Sequence, residues 1–205
     1  MPPVVPPLPL DQTQAQHAVD LQIGTELASL GVRDQTIRET EPAGSPKIDQ
    51  IDHENGDRLK ELLVIIGGWP TISRFGRETT AAAWLVAQHA DYNPPFQADC
   101  VRQMAALPVS EVDQINVAYL QDRALLNSGQ PQRYGTIWNA IQNPLTNGFD
   151  LVPSRLEDPA SVDSLRQRMG LAPLAVQQQQ MAAELAVRLT QPNPPTAVPE
   201  TVAEQ

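Results

Sequence analysis

Cysteine occurs once in the 205 residues, at Cys100, so no intramolecular disulfide can form and the chain fits a reducing compartment. A free cysteine at a helical position is most simply a small core residue. Aromatic residues are only 4% of the chain, which leaves the core to Leu, Val, Ile and Ala. Lysine is confined to Lys47 and Lys60, and the formal net charge is −10. An acidic chain without a Lys/Arg cluster is repelled by phosphate backbones and anionic lipid, which argues against nucleic acid or a membrane as partner. No apolar run approaches the roughly 18 residues of a membrane span. The first ten residues are apolar but lack a basic leader and are broken by prolines, so they do not read as a signal peptide, and a cytoplasmic protein is expected. Also missing are a P-loop, G-x-G-x-x-G, G-x-S-x-G, H-E-x-x-H and any paired C-x-x-C.

Proline, by contrast, is abundant, with 20 residues, nine of them in the short segments at the two ends. Segments 1–10 and 191–205 read as disordered Pro-rich arms, because they hold too little apolar surface to offset ordering entropy. Between them, 11–190 reads as a single domain long enough for a real core.

Helical periodicity runs from Asp11 to Glu39, with Gly31 ending or kinking the segment. Glu41 to Pro46 has loop chemistry, and a second helix is expected over Asp57–Ile66, stopped by Gly67-Gly68. Thr71 and Ser73 are candidate caps. Glu78–Ala90 is apolar nearly all round, as in a helix buried on several sides. Asn93-Pro94-Pro95 opens a helix to Leu107, and Ser110 opens another with Glu111 and Asp113 in its first turn. Two short strands, Gln132–Trp138 and Gly148–Pro153, are expected to pair as a hairpin. Asp158 or Ser161 caps a helix through Met169, with Gly170 ending it, and a Gln/Ala-rich helix follows from Pro173 to Leu189. The Gln177–Gln180 run reads as solvated helix surface. The fold expected is mainly α (α+β), one helical domain with a small β-hairpin. The lack of βαβ alternation argues against a parallel sheet.

Of His17, His53 and His89, only His89 has suggestive company, following Gln88 and preceding Asp91. It reads either as a general acid/base oriented by a carboxylate or as a histidine satisfied by its helix C-terminus. A metal held by His89, Asp91 and a further carboxylate lacks an identifiable third ligand, so no metal or cofactor is expected. Asp122-Arg123 reads as an ion pair on a helix. Gln132, Tyr134 and Thr136 would share one polar strand face, with Gly135 allowing close approach to the backbone. Trp69-Pro70 reads as a rigid turn with a core Trp.

Eight motifs recur in a familiar order: Asp34-Gln35-x-x-Arg38, Asp52-x-x-Asn55, Gly68-Trp69-Pro70, Gln88-His89-Ala90-Asp91, Phe96-Gln97, Tyr119-Leu120-x-Asp122-Arg123, Gly129-x-x-Gln132-x-Tyr134-Gly135-Thr136, and Glu157-Asp158-Pro159 running through Val162, Asp163 and Arg166 to Gly170-Leu171. Over residues 20–178 the chain is similar to a family of bacterial domains of unknown function. Family members commonly carry Gln after the Tyr-Gly-Thr, where Ile137 stands here. The resemblance implies a shared polar set drawn from several elements, which is more naturally a pocket than a single cap or surface pair.

The function expected is a cofactor-independent acid/base enzyme, a hydrolase, lyase or cyclase. Its substrate would be a peptide or small carboxylated metabolite, in bacterial biosynthesis or peptide modification. His89 would move the proton, with Asp91 or Asp122 orienting it and Arg38 or Arg123 holding an anionic group. Asp34, Gln35, Gln97, Gln132, Tyr134, Thr136 and Trp69 would line the substrate site. The rival is a non-catalytic binding or immunity-type protein in which the same residues form a buried network. The two part on whether His89, Asp122 and Arg123 line one solvent-connected cavity.

Overall fold

The computed structural model describes residues 12–144 and 148–190, so both Pro-rich arms lie outside the described residues. Eight helices and one antiparallel hairpin make up the described chain. In order they are α1 (Gln12–Thr40), α2 (Pro46–Ile66), α3 (Ile72–Phe75), α4 (Arg77–His89), α5 (Pro94–Ala105), α6 (Gln114–Asn127), β1 (Trp138–Asn143), β2 (Gly148–Pro153), α7 (Val162–Arg168) and α8 (Leu174–Thr190). None of the helices is long and apolar enough to cross a membrane.

Helix α4 is the hub. Its apolar circumference packs against α1, α2, α3, α5 and α6, as its sequence requires. Leu27, Leu59, Leu62, Val86, Ala87, Cys100, Met104 and Leu120 form the centre of an aliphatic core.

Gly31 does not end α1. It lies buried inside the helix, where a Cβ would stand 2.7 Å from the Cβ and 3.2 Å from the Cα of Ala82 on α4. The glycine therefore sets the distance between the two helices. Gly31→Ala gains helix propensity of about 1 kcal/mol but must push backbone away from backbone. A net loss of about 1–3 kcal/mol is expected in urea unfolding, partly recovered by adding Ala82→Gly. A variant as stable as the parent would show that α1 and α4 part easily.

Helix α2 begins eleven residues earlier than its apolar periodicity indicates, at Pro46 rather than Asp57. Ser45 caps it, its hydroxyl accepting from the Lys47 amide, and Pro46 supplies the first-turn geometry. Gly56 lies mid-helix because the Tyr92 hydroxyl occupies the space a Cβ would fill, 2.4 Å from its position. At the other end Gly67 takes a left-handed conformation (φ 84°), and its N–H reaches the Leu63 carbonyl.

Asn93 caps α5 through the Phe96 amide, and α6 starts at Gln114 with Asp113 as its cap rather than within its first turn. Thr71 precedes α3 without a side-chain cap bond, while Ser73 lies inside that helix. Ser161 precedes α7 likewise, and Gly170 follows its end at φ 75°.

The hairpin forms, but its first strand is Trp138–Asn143, paired in register from Trp138 opposite Pro153 to Asn143 opposite Gly148. Residues 132–137 instead wrap as a loop around the carboxylate of Asp122, and Gly135 is left-handed there (φ 67°). Of the glutamine run, Gln177 bonds to Tyr119 and Arg166 and Gln178 to the Leu151 carbonyl, which leaves Gln179 and Gln180 as solvated surface.

Candidate functional site

The last turn of α4 places His89 against α1. Its Nδ1 stands 2.8 Å and 3.0 Å from the two carboxylate oxygens of Asp34, a residue fully shielded from solvent. The orienting carboxylate is therefore Asp34, not Asp91 or Asp122. Asp34 also accepts from Gln35 Nε2 at 2.8 Å and from one Arg38 guanidinium nitrogen at 3.0 Å. The other guanidinium nitrogen of Arg38 grips both oxygens of Asp52 on α2, at 2.7 Å and 2.8 Å. Asp34 and Arg38 are one helical turn apart, so α1 presents both to α2 and α4 at once.

The ring of His89 then lines a cavity of about 310 Å³ with Asp49, Asp52, His53, Asp91 and Tyr92. With Nδ1 on a carboxylate, Nε2 is the nitrogen left for chemistry. Asp49, Asp52 and His53 are spaced i, i+3, i+4 on α2 and share one face. The His53 and Tyr92 rings stack with centroids 3.6 Å apart, and the Tyr92 hydroxyl donates to the His53 carbonyl at 3.2 Å. Burial pushes the Tyr92 phenol up to about 12, with the negative charges of Asp57 and Asp52 adding to it, so it stays a donor at neutral pH. Burial likewise raises Asp52, against the lowering effect of Arg38.

Asp34, Asp52 and His89 lie close enough together to hold a cation. Their oxygens, however, are already engaged: those of Asp34 by His89, Gln35 and Arg38, those of Asp52 by Arg38. The guanidinium of Arg38 is the cation of this cluster. A larger groove of about 810 Å³ between α1 and α4 includes Gln35 and Trp84 in its walls but no histidine.

Asp91 lines the cavity while its carboxylate turns to α6, where Arg123 grips it and Asn127 donates at 2.8 Å. Gln97, fully buried, donates to the Ala87 and Gln88 carbonyls and to Asp91, and accepts from Asn127. Together these bonds lock the turn that carries His89. Burial works to raise the Asp91 carboxyl, but Arg123, Asn127 and Gln97 together hold it below the ordinary carboxylate value.

The sign of its pH effect follows. A depressed carboxyl contributes stability above its unfolded value and loses that contribution as pH falls through the folded value. Glu26 and Asp20, each held down by an arginine, act in the same direction. Asp52 acts oppositely, its raised carboxyl favouring the folded state as it takes up a proton. Stability is therefore expected to fall below about pH 4. Urea midpoints for Asp91→Asn should decline less steeply there than for the parent, and equal slopes would show that Asp91 is not held down.

The remaining sequence-predicted residues stand apart from His89. Asp122 and Arg123 do not pair with each other. Asp122 is sealed, accepting from the amides of Arg133, Tyr134 and Thr136 and from the Thr136 hydroxyl. Gln132 bridges the Ile137 amide and carbonyl and the Ser154 carbonyl. Tyr134 is buried with its hydroxyl on Gln121, and Trp69 is a core residue. Ile137 takes part in these bonds through its backbone and is not among the residues lining the His89 cavity. Asp49, Asp52, His53 and Tyr92 were not picked out as site residues. The D-x-x-D-H spacing of the α2 residues was their signal, hidden because 47–56 did not read as helix.

A family model described as a family of unknown function, DUF6624, matches residues 19–187. The chain belongs to this family. No curated protein and no solved structure matches it significantly. The matched span of the family covers the His89 cavity, the Asp122 loop and most of α8.

Proposed function

We propose that this domain is an acid/base enzyme acting on a small molecule or peptide, with His89 as the proton carrier and Asp34 as its orienting partner. One observation carries the reading: a histidine held at Nδ1 by a shielded carboxylate 2.8 Å away, with its ring on the wall of a cavity. In that pairing the carboxylate selects the tautomer that leaves Nε2 free to accept a proton, and it stabilises the imidazolium that results. Arg38 fixes Asp34 and Asp52 in place, and the Asp91–Arg123–Asn127–Gln97 set holds the turn. Hydrolysis, elimination and cyclisation each need one such proton carrier, and the residues present supply it without a cofactor.

Neither Arg38 nor Arg123 is free to hold a substrate carboxylate, since each already grips an aspartate. The binding-protein reading draws its support from Asp122 and Gln132, which are sealed with their hydrogen bonds made. Among the described residues His89, Asp122 and Arg123 do not share a cavity, which counts against the site as the sequence drew it and for the binding-protein reading, so the proposal rests on His89 and Asp34 alone.

Incubating the purified chain with a small-molecule extract of its source cells, followed by mass spectrometry, tests the proposal. The parent should deplete at least one compound that folded His89→Ala leaves untouched. Identical extracts after both treatments would remove the catalytic role.

A further inference from the structure

We infer that residues 2–10, the Pro-rich segment leading into α1, turn back along α1 and dock in the groove that runs beside it. This groove has two stretches. The first, of about 330 Å³, lies where α1 meets α3 and the start of α4, with Leu21 and Phe75 in its walls. The second is the 810 Å³ groove farther along α1, with Val32 and Trp84 in its walls. Ala28 and Thr79 line both, so the two are continuous. On α1 the lining positions recur every three or four residues from His17 to Glu39, which keeps the track on one face of the helix. Nothing among the described residues covers the aliphatic side chains there: Leu21 and Val32 are each 67% exposed.

Composition, length and charge select the occupant. Residues 2–10 hold five prolines and four aliphatic side chains and carry no charge. Alone they bury too little surface to offset their ordering, but the groove supplies the missing half. Proline has no amide N–H, so more than half of the segment's backbone donors are absent and few would be stranded on an apolar wall. Walls holding aromatic rings are the surface on which extended Pro-rich backbones dock. In that extended form, at about 3.1 Å per residue, Val4 lies about 25 Å from Gln12. At about 1.5 Å per residue, Ala28 lies about 24 Å along α1 from the same point. The segment therefore spans the first stretch and enters the second. A second copy fits less well, because Glu39, Glu78 and Asp113 in the walls repel a chain of net charge −10. The tethered segment needs only weak affinity, since its link to α1 holds it at an effective concentration on the order of millimolar.

A nitroxide attached to Val4→Cys in the full chain tests this by NMR, since Cys100 is buried and stays unlabelled. Paramagnetic broadening of the amide signals is expected to peak at Ala28 and Thr79. It should vanish from Thr79 in Ala28→Lys, whose longer side chain fills the groove at an exposed position that the fold does not depend on. A segment that stays off the groove would broaden the first turns of α1 most and fade along the helix, and that profile overturns the inference. Broadening of Thr79 that survives Ala28→Lys overturns it too. In a mixture of nitroxide-bearing ¹⁴N chain with ¹⁵N parent, Thr79 should stay sharp. Broadening there would place a second copy in the groove instead of the chain's own segment.

Discussion

Asp122→Ala is expected to destabilise the fold by about 4 kcal/mol or more, the largest stability effect of any single change outside the apolar core. The carboxylate is fully buried and accepts three backbone N–H bonds, from Arg133 at 2.8 Å, Tyr134 at 3.0 Å and Thr136 at 2.9 Å, besides the Thr136 hydroxyl at 2.9 Å. Removing it strands donors that water cannot reach, each worth about 1–3 kcal/mol. Those bonds also shape the 132–137 loop, whose Tyr134 and Gly135 carbonyls hold the buried Arg166 of α7. The loss would therefore spread to the packing of α7 and α8. Arg123→Ala, one residue on, breaks a partly exposed pair and should cost about 1 kcal/mol. Urea unfolding of the two variants measures the contrast, and near-equal losses would contradict the structural role of Asp122.

The largest effect on activity is expected at Asp34. Once a substrate is known, Asp34→Asn should reduce turnover about 10²–10⁴-fold. The asparagine keeps an oxygen for Arg38 but turns an amide donor toward His89 Nδ1, which favours the opposite tautomer. His89→Gln should fall into the same range. Gln35→Ala, which removes only one of the bonds on Asp34, should lose less than tenfold. A steady-state comparison of kcat for the three decides it, and a Gln35→Ala loss as large as that of Asp34→Asn would point to general disruption of α1.

Much of the fold is legible in local sequence. The apolar circumference of α4, the Asn93-Pro94-Pro95 start of α5 and the Gly67 stop of α2 each state a local physical requirement that the structure meets. The failures share a cause as well. Gln132–Thr136 alternates like a strand, yet Asp122, more than ten residues away, captures its amides and bends it into a loop. Gly31 looks like a helix breaker until Ala82 is seen against it. The site was half visible. His89 stood out through its neighbours, but its true partner lies 55 residues earlier in the chain, and no spacing rule connects two helices that meet only in the folded core. Asp52 stood in one of the recurring motifs and His53 among the three histidines, but their shared face with Asp49 was hidden because a polar stretch capped by Ser45 continues α2 without apolar periodicity.

The pairing of His89 with Asp34 can be read directly from the protonation of the imidazole, by long-range ¹H–¹⁵N NMR of the neutral ring in the parent and in Asp34→Asn. A proton on Nδ1 in the parent, shifting to Nε2 in Asp34→Asn, is the result expected of a histidine oriented for proton transfer into the cavity. A proton on Nε2 in the parent, or the same spectrum from both proteins, would contradict it.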